Sequence, residues 1–201
     1  MKRLAILLSG RGSNLEAIAD NTTNGSLEAK IAVVISNRPE ARGLEMARER
    51  AMNAVALPSR GMDRETYDRA LVDELRKCEV DLICLAGYMR MLSAGFVRQF
   101  PNRILNIHPS LLPAFPGLDA QRQALEYGVK ISGCTAHFVD EYLDAGPVLL
   151  QAAVPVLDHD TVESLSARIL EQEHRIYSEA IRIVLGGDCR IEGRRVVLKQ
   201  F

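Results

Sequence analysis

Short apolar runs alternate along the chain with segments in which apolar residues recur every three or four positions. A short apolar run is typical of a buried strand, and the wider spacing is typical of a helix with one buried face. The pattern predicts strands at Leu4–Leu8, Ile31–Ser36, Ala54–Pro58, Val80–Ala86, Ile104–His108, Thr135–Val139 and Val148–Val156. It predicts helices at residues 13–22, 40–51, 64–77, 94–100, 119–127 and 161–185, and a small hairpin over Arg190–Leu198.

Strands that alternate with helices indicate the α/β class, because each parallel strand needs a crossover that covers the sheet. We therefore predict a Rossmann-like, open, mostly parallel twisted sheet with helices on both faces. A chain of 201 residues can bury one sizeable core, so we expect a single domain over residues 1–201. Ligands bind beyond the carboxyl ends of the strands in such sheets, so functional residues are expected in the loops that follow them.

Two helix ends carry clear signals. Ser93 is predicted to cap the helix that stops before Pro101. Asp160 is predicted to cap the last helix, with Glu163 closing a capping box, and Gly186-Gly187 is predicted to end it.

Charge and composition exclude several classes of protein. Lys and Arg number 25 against 26 Asp and Glu, a net charge of −1, so we expect neither a nucleic-acid nor a membrane partner. The apolar stretch Leu4–Leu8 is too short for a signal peptide. We expect a cytoplasmic protein without a metal, because no C-x-x-C pair occurs among Cys78, Cys84, Cys134 and Cys189.

The segment Ser9-Gly-Arg-Gly-Ser-Asn14 follows the first predicted strand and opens a helix. Glycines let a backbone approach an anion closely, and the free amides at a helix start point towards it. A phosphate could therefore bind against Gly12, Ser13 and Asn14. The alternative is a plain tight turn in which Ser13 or Asn14 caps the helix. Leu15 stands where the dinucleotide fingerprint has its last glycine.

Asn106 and His108 lie two residues apart at the end of a predicted strand, so their side chains share a face. An amide beside an imidazole suits acyl transfer, because the amide can stabilise an oxyanion and the imidazole can move a proton. The alternative is a structural histidine at a strand end. The rigid, proline-rich turn that begins at Pro109 favours the functional interpretation.

An acidic segment, Asp140 to Pro147, links the last two strands of the predicted sheet. A carboxylate close to His108 would keep the imidazole protonated near neutral pH. Asp144 is our candidate, although spacing alone does not choose between it, Asp140 and Glu141. A solvated acidic turn is the alternative.

Two further features have both a binding and a structural interpretation. The loop Ala86–Leu92 could hold a flat heterocycle, or its apolar side chains could pack in the core. Glu173 lies on the apolar stripe of the last helix, where a carboxylate needs a partner. That partner could be a sugar hydroxyl or the guanidinium of an arginine.

Together these segments resemble the folate-dependent formyltransferases, and more specifically the phosphoribosylglycinamide formyltransferases within that family. The resemblance runs from Leu4 to about Tyr177. It rests on four motifs in the family's order: Ser9-Gly-Arg-Gly-Ser-Asn-Leu15, Leu85-Ala-Gly-Tyr-Met-Arg90, Leu105-Asn-Ile-His-Pro-Ser-Leu-Leu-Pro113 and Gln172-Glu-His174.

The resemblance implies transfer of a formyl group from 10-formyltetrahydrofolate to the amine of glycinamide ribonucleotide, in purine biosynthesis. Residues 1–100 would bind the ribonucleotide phosphate, and residues 101–201 would form the folate and catalytic half of a monomer or homodimer. The catalytic residues would be His108 as the general acid, Asn106 and Asp144. Gly12, Ser13 and Asn14 would bind the phosphate, and Glu173 would contact the ribose. The folate site would comprise Arg64, Met89, Arg90, Met91, Leu92, Asn106, Asp140 and Glu141.

The sequence departs from the family in one loop. Many members carry a Lys before an aromatic-Pro-Gly step and a His shortly after it, where this chain has Ala114 and Asp119. Side-chain contacts from that loop are therefore not carried over.

Three alternatives remain open. Formyltetrahydrofolate hydrolases share the Asn-x-His and Asp site but usually carry an additional amino-terminal domain, for which we expect no room in 201 residues. Methionyl-tRNA formyltransferases need a further domain and a basic surface for tRNA. A non-catalytic nucleotide-binding module would explain Gly12–Asn14 but would leave Asn106, His108 and Asp144 without a role.

Overall fold

The computed structural model describes residues 1–199, and these contain nine strands and six helices. The chain divides into two compact units, one spanning Met1–Leu105 and one comprising the remainder from Asn106. Every predicted helix and strand is present, and the α/β class with a mostly parallel sheet is confirmed.

The first unit is built on four parallel strands in the order β3-β2-β1-β4. Residues 4–8 of the first strand are all fully buried, so this strand is covered on both faces. The strands are β1 (Lys2–Leu8), β2 (Ala29–Ser36), β3 (Ala54–Ala56) and β4 (Leu82–Leu85). The helices are α1 (Ser13–Thr23), α2 (Arg42–Glu49), α3 (Arg64–Lys77) and α4 (Ala94–Gln99).

The second unit contains the remaining strands in the order β5-β6-β7-β9-β8. The pairs β6–β7 and β8–β9 are antiparallel, and the predicted terminal hairpin is confirmed as β8–β9. The strands are β5 (Ile104–His108), whose first two residues belong to the first unit, β6 (Ile131–Phe138), β7 (Val148–Pro155), β8 (Cys189–Glu192) and β9 (Arg195–Leu198). The helices are α5 (Ala120–Tyr127) and α6 (Val162–Gly186).

The largest difference from the predicted boundaries is the start of β6, at Ile131 and not at Thr135. Ser132 and Gly133 interrupt the apolar pattern, yet both are paired with β7. A Cβ at Gly133 would lie 2.0 Å from the carbonyl oxygen of Ala152, so the close approach of the two strands requires glycine there. Gly133, which interrupts the apolar pattern of the sequence, is therefore one of the residues of β6 that pair with β7.

Helix ends follow the predictions with one correction. Ser93 caps α4 by accepting a hydrogen bond from the Phe96 amide, and Gly187 ends α6 in the left-handed conformation. The cap of α6 is Thr161 and not Asp160, and Ser164 closes the capping box. Asp160 does not cap the helix. Its carboxylate instead accepts hydrogen bonds from the guanidinium of Arg168, at 2.8 Å on each oxygen.

No helix in the part of the chain that the structure describes combines the length and apolarity needed to cross a membrane.

The capping box of α6 gives a prediction for stability. We expect Thr161→Ala to lower the free energy of unfolding by about 1 kcal/mol, because the first turn loses an acceptor for the Ser164 amide. The measurement is urea unfolding followed by circular dichroism. Thr23→Ala is the control, since that hydroxyl bonds the Ala19 carbonyl and caps no helix start. Equal losses in the two variants would contradict the assignment.

Candidate active site

The loop after β1 brings two backbone segments into close contact. Gly12 adopts the left-handed conformation (φ 84°) and is the N-cap of α1. A Cβ on Gly12 would lie 2.6 Å from the Cα of Gly43, and the Gly43 amide donates to the Gly10 carbonyl at 3.0 Å. Gly12 supplies no side chain to the cap, so the alternative in which Ser13 or Asn14 caps the helix is wrong. Ser13 opens α1 with Asn14 buried behind it, and no side chain caps the start of this helix.

A buried hydrogen-bond chain, here called the Ser9 chain, joins the loops after all four strands of the first unit. The amide of Met89 donates to Ser9 Oγ at 2.8 Å, and the Ser9 hydroxyl donates to Asn37 Oδ1 at 2.5 Å. Asn37 Nδ2 donates in turn to Ser59 Oγ at 3.2 Å. The Ser9 amide also donates to the Gly87 carbonyl at 3.0 Å. These bonds hold the loop after β1 against the loop after β4.

The loop after β4 exposes apolar side chains. Met89 and Met91 are 56% and 44% exposed, so core packing, the alternative for this loop, is wrong for both. Leu92 is half-buried. An exposed pair of methionines offers a soft, adaptable surface to an apolar ligand.

Two arginines predicted for the folate site also lie in the first unit. The Arg90 guanidinium lies 4.7 Å from the centroid of the Tyr67 ring and donates to the carbonyls of Met62 and Asp63. The guanidinium is thereby held in a fixed orientation. Arg64 is exposed at the first position of α3.

The second unit brings the three predicted catalytic residues together. The Asp144 carboxylate lies 3.4 Å from His108 Nδ1 through Oδ2, and 3.5 Å from Asn106 Nδ2 through Oδ1. The side chains of His108 and Asp144 are only 6% and 10% exposed. Asp144 takes the left-handed backbone conformation with φ 47°, a strained choice for a non-glycine residue that aims its carboxylate inward.

Both ring nitrogens of His108 face hydrogen-bond acceptors. Nδ1 faces Asp144, and Nε2 lies 2.9 Å from the carbonyl oxygen of Phe115. This arrangement satisfies both N–H groups of a doubly protonated ring, whereas a neutral ring would turn one unprotonated nitrogen towards an oxygen. The geometry therefore suits an imidazole that gives up a proton.

His137 completes the cluster. Its Nδ1 lies 2.9 Å from the Phe138 carbonyl and its Nε2 lies 3.1 Å from Asn106 Nδ2. Because a carbonyl only accepts, Nδ1 carries the proton and Nε2 accepts from Asn106. Burial lowers the pKa of His137, so the ring is neutral, and its 3.8 Å separation from Asp144 is not an ion pair. His137 thus fixes which way the Asn106 amide points.

The loop that departs from the family contributes backbone groups. Phe115 supplies the carbonyl that faces His108, and the Gly117 amide donates to Asp144 Oδ2 at 2.8 Å. Phe115 and Asp119 both have positive φ angles, 52° and 55°. These contacts come from the backbone of Phe115 and Gly117 and not from the side chains of Ala114 and Asp119.

Polar residues behind the site support the turn after His108. Thr135 Oγ1 accepts from the Leu112 amide at 3.0 Å and donates to the Ser110 carbonyl at 2.7 Å. Gln151 donates to the Leu112 carbonyl and to Thr135. None of these residues was predicted as part of the site. Thr135 and His137 are buried polar residues at alternate positions of an apolar strand, which is the sequence signal that could have identified them.

The remaining predicted residues of the second unit differ in exposure. Glu141 is exposed, and Asp140 is half-buried and accepts from the Tyr142 amide at 2.9 Å. Glu173 is 7% exposed on α6. Burial raises the pKa of the Cys134 thiol to about 12, and the charge of Glu173 adds to that rise. Within residues 1–199, no group of three or more His, Cys, Asp or Glu side chains is arranged to hold a metal ion.

Comparison with known proteins identifies similar sequences along almost the whole chain. The family model described as formyl transferase matches residues 2–181. Phosphoribosylglycinamide formyltransferase of Bacillus subtilis is 40% identical over 193 residues, which are 96% of this chain and 99% of that protein. The trifunctional purine biosynthetic protein adenosine-3 of Drosophila melanogaster is 47% identical over 94% of this chain, but the chain spans only 14% of that protein's length.

Solved structures share the fold. Glycinamide ribonucleotide transformylase 1 from Symbiobacterium toebii is 55% identical with a TM-score of 0.97, covering 100% of this chain and 95% of that one. A formyltetrahydrofolate deformylase from Pseudomonas syringae is 27% identical with a TM-score of 0.93, covering 99% of this chain and 66% of that one.

The Ser9 chain gives a prediction for loop stability. Ser9→Ala leaves the Met89 amide and Asn37 Oδ1 buried without their partner, so we expect a loss of about 1–3 kcal/mol in the free energy of unfolding. We also expect faster hydrogen exchange at the Met89 amide. Ser26→Ala, which removes an exposed hydroxyl, is the control. Unchanged exchange at Met89 would show that Ser9 does not hold the loop.

The buried neutral His137 gives a pH dependence. Its pKa is lowered in the folded state from the ordinary value of 6.5, so below pH 6.5 the unfolded chain binds a proton that the folded chain resists. Stability is therefore present above pH 6.5 and is lost as the pH falls towards the folded-state pKa. We expect the wild type to lose more stability than His137→Asn between about pH 7.5 and pH 5. The measurement is the free energy of unfolding in urea at each pH. An equal loss of that free energy in the two proteins would contradict this prediction.

Proposed function

The chain belongs to the formyl transferase family, and from that premise we propose that it transfers the formyl group of 10-formyltetrahydrofolate to the amine of glycinamide ribonucleotide. The products are formylglycinamide ribonucleotide and tetrahydrofolate, in purine biosynthesis. The observation that supports this most is the cluster of Asn106, His108 and Asp144, in which an amide, an imidazole and a carboxylate lie within hydrogen-bond range of one another. Residues 1–201 act as a single formyltransferase domain, of which Gln200 and Phe201 lie outside the described residues.

The ribonucleotide is bound through its phosphate and its ribose. Gly12, Ser13 and Asn14 hold the phosphate. Gly12 has no side chain to block the anion, and no side chain caps the start of α1. Glu173, which is 7% exposed on α6, accepts a hydrogen bond from a ribose hydroxyl.

The folate contributes the formyl carbon, and the side chains predicted for its site have the matching chemistry. Met89 and Met91 offer exposed apolar surface, and Leu92 borders them. Arg64 and Arg90 supply positive charge for the carboxylates of the glutamate end. In the second unit the folate site comprises Asn106, Asp140 and Glu141. The segment Asp140–Asp144 covers the ring system of the folate.

His108 and Asn106 carry the chemical step. The neutral amine attacks the formyl carbon, and the carbonyl oxygen gains negative charge. Asn106 donates a hydrogen bond to that oxygen. It uses the amide hydrogen that faces Asp144, whose Oδ1 lies 3.5 Å from Asn106 Nδ2. His108 turns its Nε2–H from the Phe115 carbonyl to the reacting group. As the carbon–nitrogen bond to folate breaks, one proton leaves the attacking amine and one reaches the folate nitrogen, so His108 ends in its starting state.

Asp144 and His137 act through these two residues. Asp144 orients His108 and balances the charge of the protonated ring. His137 holds the Asn106 amide with its nitrogen towards the site. Both are positioning residues whose partners do the chemistry.

This mechanism predicts the kinetics of two variants. We expect His108→Ala to lower kcat by about 10²–10⁴ with little change in folate binding, and Asn106→Ala to lower kcat by about 10²–10³. The measurement is steady-state formyl transfer with purified protein, alongside equilibrium binding of the folate. His159→Ala is the control, because His159 is exposed. A turnover in His108→Ala within a few fold of the wild type would exclude its role as the acid.

A second candidate is hydrolysis of the formyl donor, favoured by the likeness to the formyltetrahydrofolate deformylase. The deciding assay follows release of tetrahydrofolate with and without glycinamide ribonucleotide. We expect release to depend on the ribonucleotide and to match the formylated product one to one. Release at the same rate without the ribonucleotide would assign the chain to the hydrolases.

A further inference from the structure

The hairpin β8–β9 supplies none of the residues assigned to the proposed site, yet it lies beside one of them. It joins the sheet where β9 pairs with β7, at Arg195 and Val148. Val148 is the first residue of β7, so it directly follows the segment between Phe138 and Val148 that carries the catalytic carboxylate. That segment is here called the Asp144 turn.

The tip of the hairpin contacts the Asp144 turn. Gly193 and Arg194 form the two-residue connection between β8 and β9. Arg194 donates from Nη2 to the carbonyl oxygen of Ala145 at 2.8 Å. Ala145 directly follows Asp144, so the guanidinium holds a peptide group one residue from the catalytic carboxylate. The bond is charge-assisted, and charged donors form stronger hydrogen bonds than neutral ones.

The Asp144 turn depends on such contacts, because its backbone is strained and its outer part is exposed. Asp144 has φ 47°, a conformation that persists only where the surrounding structure holds it. The two residues that precede it are 74% and 52% exposed, so apolar burial contributes little there. The Phe138 amide closes the base of the turn by donating to the Pro147 carbonyl at 2.9 Å. Between that base and Asp144, the bond from Arg194 holds the backbone.

We propose that Arg194 is a positioning residue for formyl transfer, which holds the Asp144 turn so that the carboxylate keeps facing His108. The inference rests on the proposed function, because the role of Asp144 belongs to that function. Arg194 acts through Asp144 and not on the reacting atoms. The hairpin β8–β9 therefore takes part in catalysis, since its connection carries the donor.

The kinetic test removes the donor while keeping the length of the side chain. We expect Arg194→Met to lower kcat by about threefold to tenfold, because the turn then presents Asp144 to His108 for a smaller fraction of the time. The KM for glycinamide ribonucleotide should not change, because its proposed contacts lie at the start of α1 and on α6. Arg194→Lys keeps a charged donor and should retain most of the activity. Arg195→Met, at the exposed neighbour in β9, is the matched control and should leave kcat intact.

A double-mutant cycle shows whether Arg194 acts through Asp144. In the Asp144→Asn background, Arg194→Met should change kcat by less than about twofold, because the carboxylate that it positions is gone. Losses that multiply would overturn the proposal, since Arg194 would then act by a separate route. So would a kcat of Arg194→Met equal to that of the wild type.

Hydrogen exchange measures the turn without any reaction. The Gly117 amide donates to Asp144 Oδ2, so it should exchange faster in Arg194→Met than in the wild type or in Arg195→Met. The amides that pair β8 with β9 should keep their wild-type rates. This exchange pattern without formyl transfer would count against the proposed function alone. Unchanged exchange at Gly117 would overturn the proposal, as would faster exchange throughout the hairpin, because Arg194 would then support the hairpin and not the turn.

Discussion

The carboxylate of Asp144 is the group on which the positions of Asn106 and His108 depend. One oxygen accepts from the Gly117 amide at 2.8 Å and faces His108 Nδ1 at 3.4 Å, and the other faces Asn106 Nδ2 at 3.5 Å. A charged group that is 10% exposed is costly unless it is paired and hydrogen-bonded, and here three donors surround it. Asn106 and His108 lie at the end of β5, and Gly117 lies in a separate loop. The buried carboxylate of Asp144 therefore fixes the strand end and the loop together.

The backbone around Asp144 is shaped to present it. Asp144 itself has φ 47°, and two residues later a Cβ on Gly146 would lie 1.9 Å from the Phe138 carbonyl oxygen. Only glycine allows the chain to return that closely to the end of β6. His137, next to Phe138 in β6, accepts a hydrogen bond from Asn106, so the end of this strand brings the neutral imidazole to the amide. Strain in this turn is thus part of how the site is built.

Much of the molecule could be predicted from its sequence, for identifiable reasons. Apolar periodicity located every helix and strand, and a spacing of two placed Asn106 and His108 on one face. The choice between Asp140, Glu141 and Asp144 could not be made, because a loop conformation decides which carboxylate turns inward. Phe115 and Gly117 were missed because they act through backbone groups, which residue type does not reveal. Asp160 was mistaken for the helix cap because its neighbour Thr161 is an equally good one.

In the proposed mechanism Asp144 acts through His108 and not independently of it. A double-mutant cycle on kcat, with His108→Ala, Asp144→Asn and the combination, measures that coupling most directly. The prediction is that the double variant is no slower than His108→Ala alone, since the carboxylate has no imidazole left to hold. Losses that multiply, so that the double variant is slower by the product of the two single effects, would contradict the account.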